Sequence, residues 1–342
     1  MKNLSKLTAL LSAAAMTLSL AACSSGNAAS TPAPADTSTP TDTAAPSEGA
    51  TYTVGICQLV THDALDAATQ GFMDALNEAL PGQVEFDVQN AAGDSNTCST
   101  IVNSFVADGV DLILANATPA LQAATAATAD IPILGTSVTE YGVALNIQGF
   151  DGTVGGTVSG TSDLAPLDQQ AAMIYELFPD AETVGLIYCS AEANSQYQVD
   201  TVKAELEKLG YTCELYPFAD SNDAAAVTQT ACDASDVIYV PTDNTVASNT
   251  GIVDNICQPA GVPVVAGEEG IAKGCGVATL SISYYDLGVT TGKMAAQILT
   301  GEADISSMPI AYAENFTPKY NPVICEALGL TLPENYVAID ME

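Results

Sequence analysis

The chain has 342 residues and a formal net charge of −34 at neutral pH, because 41 acidic residues face seven lysines and no arginine. A chain this acidic has no basic face for a phosphate backbone, which excludes nucleic-acid binding. Without arginine, no guanidinium fork can hold a ligand carboxylate or phosphate, which leaves backbone N–H groups at helix starts, hydroxyl groups, or a lone lysine or histidine for that task.

The first 22 residues have the layout of a signal peptide. Lys2 and Lys6 form a basic start, and the apolar run from about residue 7 to 20 is short for a membrane span. The ending Leu20-Ala21-Ala22 before Cys23 resembles a bacterial lipobox, which implies cleavage before Cys23 and a lipid such as palmitate on its sulfur. The alternative is an ordinary secretory signal with an incidental cysteine. We predict an exported protein, lipid-anchored to the extracytoplasmic face of the cell membrane.

The segment 23–50 is composed almost entirely of Ser, Thr, Ala, Pro, Gly and Asp and contains no large apolar side chain. Such a composition cannot bury enough surface to fold, so we predict a disordered linker that starts at the lipidated Cys23. The remainder, from about residue 51 to 342, is long enough for two lobes of ordinary domain size.

Beyond residue 50 the sequence alternates short apolar runs, typical of buried parallel strands, with helical patterns. In the first half, strands are predicted near 53–59, 84–89, 111–115 and 131–135, and helices near 64–80, 96–109 and 118–129. The glycine-rich stretch 149–160 is expected to form turn and edge strand. It is given no phosphate-binding role, because no lysine or helix follows it in phosphate-loop register.

The second half repeats this order. Helices are predicted near 167–178, 194–209, 222–233, 245–257 and 286–299, and strands near 183–188, 211–217, 236–240, 262–266 and 276–282. Three segments of the first half recur at nearly constant spacing: Val54–Leu59 as Val184–Tyr188, Asp111–Thr118 as Asp236–Asp243, and Ile131–Gly135 as Val262–Gly267. Three segments that recur in the same order and at nearly constant spacing indicate two copies of one fold. Loops at the carboxyl ends of parallel strands bind ligands in open α/β sheets, so two facing lobes predict a small-molecule cleft.

The predicted fold class is therefore α/β, with two Rossmann-like lobes of parallel sheet joined by a multi-strand hinge. Lobe one is expected to comprise residues 51–162 plus 283–310, and lobe two residues 163–282 plus 311–342. The chain would cross between the lobes near 162–166, near 281–284 and again after about 310. Several crossings allow the lobes to close by bending without unfolding.

Eight cysteines follow Cys23, and the sequence leaves their disulfide state open. Cysteines of an exported protein can pair, and eight of them allow 105 connectivities. Several nevertheless lie in apolar runs, as Cys57 does, where a cysteine acts as a small core residue. No CxxC motif occurs, the spacing fits no zinc site and the chain has one histidine, so we predict no metal and no cofactor.

Two segments carry the most specific resemblance to a known family: Glu192-Ala193-Asn194-Ser195 and Pro241-Thr242-Asp243-Asn244. With weaker matches along nearly the whole mature chain, the sequence resembles the substrate-binding lipoproteins of ABC transporters, which have the type I periplasmic-binding fold. The tryptophan- and tyrosine-binding members are the best known. The resemblance implies a monomer that captures a small solute, an amino acid such as an aromatic one, and delivers it to ABC permease subunits. One departure is Glu268-Glu269, in place of a smaller polar loop, which would line the cleft and favour a more cationic or polar solute.

Polar residues that follow the strands are the predicted ligand-binding set: Gln58, Thr61, His62, Thr118, Ser137, Asp163, Asn194, Ser195, Asp243 and Asn244. The helix start at Asn194 and Ser195, together with hydroxyl groups, would hold a ligand carboxylate. Asp243, or else Asp163, would hold an ammonium group. The alternatives are structural, because such residues also serve as helix caps, turn residues or plain loop residues.

A sensor subunit that reports ligand occupancy to a membrane receptor is the competing hypothesis, and the fold does not separate it from transport. An enzyme is disfavoured. One histidine, no arginine and no recognisable nucleophile–base set leave no chemistry to assign, so no catalytic residue is predicted.

Overall fold

The computed structural model describes residues 51–313 and 315–341. The predicted signal peptide, the lipidated Cys23 and the linker therefore lie outside the described residues. In the part of the chain that is described, no helix is both long enough and apolar enough to cross a membrane.

The first sheet is entirely parallel, with its strands in the spatial order β2-β1-β3-β4-β5-β11. Its strands are β1 (Tyr52–Gln58), β2 (Val84–Asn90), β3 (Leu112–Asn116), β4 (Ile133–Val138), β5 (Val158–Ser162) and β11 (Ala311–Tyr312). The helices of this lobe are α1 (Asp63–Ala79), α2 (Ser95–Asp108), α3 (Thr118–Ala127), α4 (Tyr141–Ala144) and α11 (Tyr284–Leu299). A 3₁₀ turn spans Ile305–Ser307.

The second sheet has the order β7-β6-β8-β9-β10-β12-β13, and only the β10–β12 pair is antiparallel. Its strands are β6 (Thr183–Cys189), β7 (Thr212–Phe218), β8 (Val237–Val240), β9 (Val264–Ala266), β10 (Ala278–Ser281), β12 (Thr317–Tyr320) and β13 (Val337–Ala338). The helices are α5 (Leu167–Leu177), α6 (Ala193–Leu209), α7 (Ser221–Cys232), α8 (Asn244–Ala247), α9 (Thr250–Ala260), α10 (Glu269–Cys275) and α12 (Pro322–Ala327).

Both sheets have an apolar core on each face, which explains why their central strands are continuous apolar runs. Every residue of β3 and of β8 is buried, as expected for parallel strands covered on both sides by helices. The edge strands β2 and β7 alternate buried or half-buried residues with exposed ones over part of their length. Their open outer edge and polar positions place them at the rim of each lobe.

The two sheets share one strand order, β2-β1-β3-β4-β5 in the first and β7-β6-β8-β9-β10 in the second. The three recurring segments of the sequence fall on equivalent strands: β1 and β6, β3 and β8, β4 and β9. The α/β prediction, two sheets of mostly parallel strands, is confirmed. Apart from the helix expected over 245–257, the boundaries of the long elements differ from the predicted ones by at most three residues.

Three connections carry the chain between the sheets, after β5, after β10 and after β11. The prediction assigned residues 311–342 to the second lobe, and this is wrong for Ala311 and Tyr312. They pair in parallel with Thr161 and Ser162 of β5, where they satisfy backbone groups of a strand that would otherwise be an open edge. The chain therefore crosses after Tyr312.

Some local predictions also need correction. The helix expected over 245–257 is two helices, α8 and α9, because Asp243 caps a four-residue first helix and the chain turns before Thr250. Glu268 and Glu269 do not form a plain loop. Glu268 is the N-cap of α10, and its side chain accepts from the backbone N–H groups of Gly270 and Ile271.

Candidate functional site

The carboxyl ends of the two sets of strands face one another across a small cavity. Its volume is about 10 Å³, which is room for about one water molecule. It is lined by His62, Leu65, Ser137, Asp163, Asn194, Thr242, Asp243, Asn244, Ala247, Glu268 and Tyr284. Six of the ten predicted ligand-binding residues are among them, from both lobes and from the connections between the lobes.

Asp163 occupies the first connection, directly after β5. One of its carboxylate oxygens, Oδ2, accepts a hydrogen bond of 2.9 Å from the hydroxyl of Tyr284 at the start of α11. The other oxygen, Oδ1, is buried and has no partner. Burial raises the pKa of this carboxyl, against the hydrogen bond from Tyr284, which lowers it. Asp163 therefore ties two connections together and offers one free acceptor to the cavity.

Asn194 presents its oxygen, rather than its amide nitrogen, as the free group. Its Nδ2 donates to the carbonyl oxygen of Thr242 at 3.0 Å and to Oε2 of Glu192 at 3.3 Å, while its Oδ1 is buried without a partner. The sequence predicted that Asn194 would help to hold a carboxylate. That prediction rests on the backbone N–H groups at the start of α6 and stays a prediction. The side-chain donors of Asn194 are already engaged, so the side chain itself offers only an acceptor.

His62 connects the two lobes. Its Nε2 lies 3.2 Å from Oδ1 of Asn244, and the Nδ2 of Asn244 donates to Glu192 at 2.7 Å. Because Asn244 turns its oxygen toward the imidazole, Nε2 carries the proton of that hydrogen bond. Burial is the largest influence on His62 and lowers its pKa below the usual 6.5, so the ring is neutral near pH 7. The remaining nitrogen, Nδ1, is then an acceptor, and it is buried without a partner.

Two buried hydroxyl groups of the first lobe also have no partner, those of Thr118 and Ser137. Thr118 follows β3, and Ser137 lies at the carboxyl end of the neighbouring strand β4. Thr118 opens α3 without capping it, because the N-cap is Ala117 and α3 has no side-chain cap. Ala117 and Ser137 have positive φ angles of 92° and 53°, a strained conformation that clusters at binding sites.

The other carboxylates of the cavity are engaged within the protein. Asp243 accepts from the backbone N–H groups of Val246 at 2.9 Å and Cys189 at 2.7 Å, and burial raises its pKa to about 7. Burial likewise raises the pKa of Glu268 to about 7, although both its oxygens cap α10. Asp243, the predicted first choice for an ammonium, therefore keeps no oxygen free, whereas Asp163 does.

Four predicted residues are not among those that line the cavity: Thr118, described above, and Gln58, Thr61 and Ser195. Gln58 is buried under α1, where it donates to Asp66 at 2.6 Å and accepts from Thr69 at 2.7 Å. Thr61 is exposed and accepts from Asn90. Ser195 is fully buried, and its hydroxyl accepts from Asn194. All three follow or start the expected elements, but Gln58 and Ser195 are buried within their own lobes and Thr61 lies at the surface.

Two residues outside the predicted set also contribute. Thr242 lines the cavity, and its hydroxyl lies 3.4 Å from that of Thr139 across the cleft. Tyr284 positions Asp163. Thr242 could have been identified from its position directly before Asp243, and Tyr284 from its position at the second crossing between the lobes.

A wider opening of about 220 Å³ adjoins the cavity and shares Asn244 with it. One wall comes from the first lobe and includes Leu59, Val60 and Pro119. The opposite wall, from the second lobe, includes Ala191 and Ala219. The cleft thus combines a polar inner end with a larger, partly apolar outer end.

Comparison with known proteins gives a consistent result. The family model described as ABC transporter substrate binding protein matches residues 53–341. A tyrosine-binding protein from Clostridioides difficile is 35% identical over 260 residues, 75% of each chain.

Two solved structures extend the comparison. The ABC domain from Streptococcus pneumonia in complex with L-Trp is 34% identical with a TM-score of 0.81, covering 85% of this chain and all of the other. The ligand-free, open structure of a substrate binding protein with adhesive properties from Clostridium difficile is 37% identical with a TM-score of 0.65, over the same shares of the two chains.

Proposed function

The chain belongs to the family of ABC transporter substrate-binding proteins, and from this premise we propose that it captures an amino acid and delivers it to the permease of an importer. Substrate-binding proteins bind small solutes outside the cytoplasm, work with ABC permeases and are not enzymes. The amino-acid ligand, delivery to a permease, the lipid anchor at Cys23 and the monomeric state are our proposals for this chain.

The observation that carries the proposal is a set of three unpartnered acceptors on one cavity: Asp163 Oδ1, Asn194 Oδ1 and His62 Nδ1. A primary ammonium group has three N–H donors and no acceptor, so it matches this set in number and in polarity. The free carboxylate oxygen of Asp163 supplies the opposite charge. An ammonium bound there would also remove the cost of leaving a buried carboxylate without a counter-charge.

The opposite polarity is available for the α-carboxylate of the same ligand. The unpartnered hydroxyls of Thr118 and Ser137 are donors, and α3 begins at Thr118 with its first backbone N–H groups uncapped by any side chain. A helix start of this kind binds anions through its N–H groups and its dipole. The chain has no arginine, so these groups take the place of a guanidinium.

The relatives favour an amino acid with an aromatic side chain as the ligand. One similar protein is named for tyrosine binding and another is described in complex with L-Trp. The wider opening of about 220 Å³, with Leu59, Val60 and Pro119 on one wall, offers partly apolar space beside the polar cavity. The better fit to the L-Trp complex than to the open structure, at similar identity, supports a lobe arrangement close to the ligand-bound one.

Thermal-shift and calorimetric titration of the full chain test the proposal, since a ligand that binds only the folded state raises the melting temperature. Tyrosine, tryptophan and phenylalanine should raise it. 3-Phenylpropionate, which lacks the amine, and phenethylamine, which lacks the carboxylate, should each bind at least about tenfold more weakly than phenylalanine. Asp163→Asn should weaken phenylalanine binding by a similar factor, whereas the exposed Asp130→Asn serves as the matched control.

Two results would count against the proposal in different ways. If 3-phenylpropionate binds as tightly as phenylalanine, the ammonium site is wrong although the protein still binds solutes. If no amino acid binds, and mass spectrometry of the denatured protein finds no co-purified amino acid, the amino-acid function itself is wrong.

A further inference from the structure

Two thiols of the second lobe lie unusually close together. Cys232 is the last residue of α7 and Cys257 lies in α9, and their sulfurs are 2.7 Å apart. A covalent S–S bond measures about 2.0 Å, so a small movement would bring the two sulfurs to bonding distance. Both side chains are buried, with 7% of Cys232 and 1% of Cys257 exposed.

We propose that Cys232 and Cys257 form a disulfide bond that fastens α7 to α9. Proteins of this family act outside the cytoplasm, where disulfides persist. The bond would close a loop that contains β8 and α8, and α8 carries Asn244, the partner of His62 across the cleft. A modification remote from the cavity would therefore hold in place one wall of the cavity.

The bond forms by thiol–disulfide exchange with an oxidant that is itself a disulfide, such as oxidised glutathione or an oxidoreductase. The Cys232 thiolate attacks one sulfur of the oxidant, which releases one thiol and leaves a mixed disulfide on the protein. The Cys257 thiolate then attacks Sγ of Cys232 and releases the second thiol. The two cysteines together lose two electrons and two protons, and the oxidant gains both.

The surroundings of the two thiols favour Cys232 as the one that attacks the oxidant first. Cys232 is the more exposed of the two, and its hydrogen bond with Cys257 lowers the pKa of the Cys232 thiol, which increases the fraction of reactive thiolate. Three other buried thiols contact backbone carbonyls, namely Cys189 with Ala219, Cys275 with Ile271 and Cys325 with Val277.

Peptide mapping of the full chain after incubation with oxidised glutathione tests the bond directly. The protein is denatured in acid and its remaining thiols are alkylated without reductant. No lysine or arginine lies between Lys208 and Lys273, so trypsin would leave both cysteines in one peptide. Cleavage at Asp233 and Asp243 instead separates them unless they are cross-linked. We expect one cross-linked pair of peptides containing Cys232 and Cys257, which reduction separates.

Stability supplies the second readout. Cys257→Ala should lower the melting temperature of the oxidised protein by about 5 °C, and reduction of the unmutated protein should lower it similarly without affecting the variant. Cys325→Ala, at another buried cysteine, controls for the loss of a packed side chain, and its melting temperature should still fall on reduction. Alkylation of both Cys232 and Cys257 after oxidation, or a cross-link from either one to Cys275, would overturn the proposal.

Discussion

At the scale of single residues, the charge state of His62 determines what the cavity can bind. Asp63, Asp66 and Glu192 each favour its protonated form, yet burial outweighs them and lowers the pKa. Neutral His62 donates through Nε2 to Asn244 and keeps Nδ1 as an acceptor. A protonated ring would instead present a second N–H and a positive charge to an incoming ammonium.

Amino-acid affinity should therefore fall as the pH is lowered through the pKa of ligand-free His62, which lies below 6.5. The sign follows from the neutral ring being the binding form, which predominates above the lowered pKa of His62 and is lost as the pH falls below it. Because the chain has one histidine, nuclear magnetic resonance of a protein without a histidine tag reports its titration directly. We expect a pKa below 6.5 without ligand and a further decrease with ligand.

The variant His62→Gln keeps a neutral acceptor at every pH and should show a weaker pH dependence of affinity. A residual dependence of the same sign is expected from Asp163, whose raised pKa brings protonation of the carboxylate closer to neutrality. An imidazole that titrates above 6.5, or an affinity that increases as the pH falls, would contradict the assignment of His62 as an acceptor.

The sequence predicts which residues line the cavity better than it predicts which of their atoms remain free to bind a ligand. Six of the predicted residues line it because polar residues after parallel strands converge at one edge of each sheet. Sequence position does not distinguish Asp163 from Asp243, since both follow strands. The distinction depends on the backbone N–H of Cys189, which lies 54 residues away along the chain and takes one oxygen of Asp243.

At the scale of elements, α1 and α11 pack against each other at glycine positions. A Cβ added to Gly288 would lie 2.0 Å from the carbonyl oxygen of Ala68, and one added to Gly71 would lie 2.1 Å from that of Tyr285. Such distances are too short for any side chain, so the backbones of the two helices approach closely only because these residues are glycine. Since α11 follows the second connection directly, this contact fixes where that connection enters the first lobe.

We expect Gly288→Ala to lower the free energy of unfolding by about 1–3 kcal/mol, since the added methyl group must displace backbone. Gly251→Ala is the matched control in α9, where the nearest atom to an added Cβ is 3.9 Å away and the better helix propensity of alanine should leave stability unchanged or slightly higher. Urea unfolding measures both. Equal stability of the two variants would show that α1 and α11 can separate without loss.

The helices of ten residues or more and the strands β1–β4 and β6–β10 were predictable, whereas the short helices α4, α10 and α12 and the strands β11–β13 were not. The four-residue α4 and the two-residue β13 contain too few positions to show a period. β12 runs antiparallel beside β10, a pairing that depends on where the third connection returns the chain. The residues of β12 themselves do not show beside which strand the third connection places them.

At the scale of the whole molecule, the acidic excess is the dominant electrostatic feature. The net charge is −34. Lysine–carboxylate pairs among the described residues include Lys203 with Glu207, Lys208 with Glu205, and Lys319 with Glu269. Each pair is partly exposed and contributes little to stability. Repulsion among the remaining carboxylates opposes the compact state.

Salt should therefore stabilise the protein. Raising NaCl from about 0.01 to 0.15 M shortens the screening length from about 30 to 8 Å, and we expect the melting temperature to rise by several degrees. KCl at the same ionic strength is the control and should have the same effect, because screening depends on charge rather than ion type. A melting temperature that stays constant or falls would mean that local ion pairs outweigh the net repulsion.

The small volume of the cavity between the lobes also has a kinetic consequence. A space of about 10 Å³ is smaller than an amino acid, so we expect a bound one to leave only when the lobes part and contacts such as His62–Asn244 and Thr139–Thr242 break. The frequency of that opening then sets an upper limit on the release rate of every ligand. Tighter ligands remain bound longer, but none escapes faster than the protein opens, which makes the residence time a property of the protein as much as of the solute.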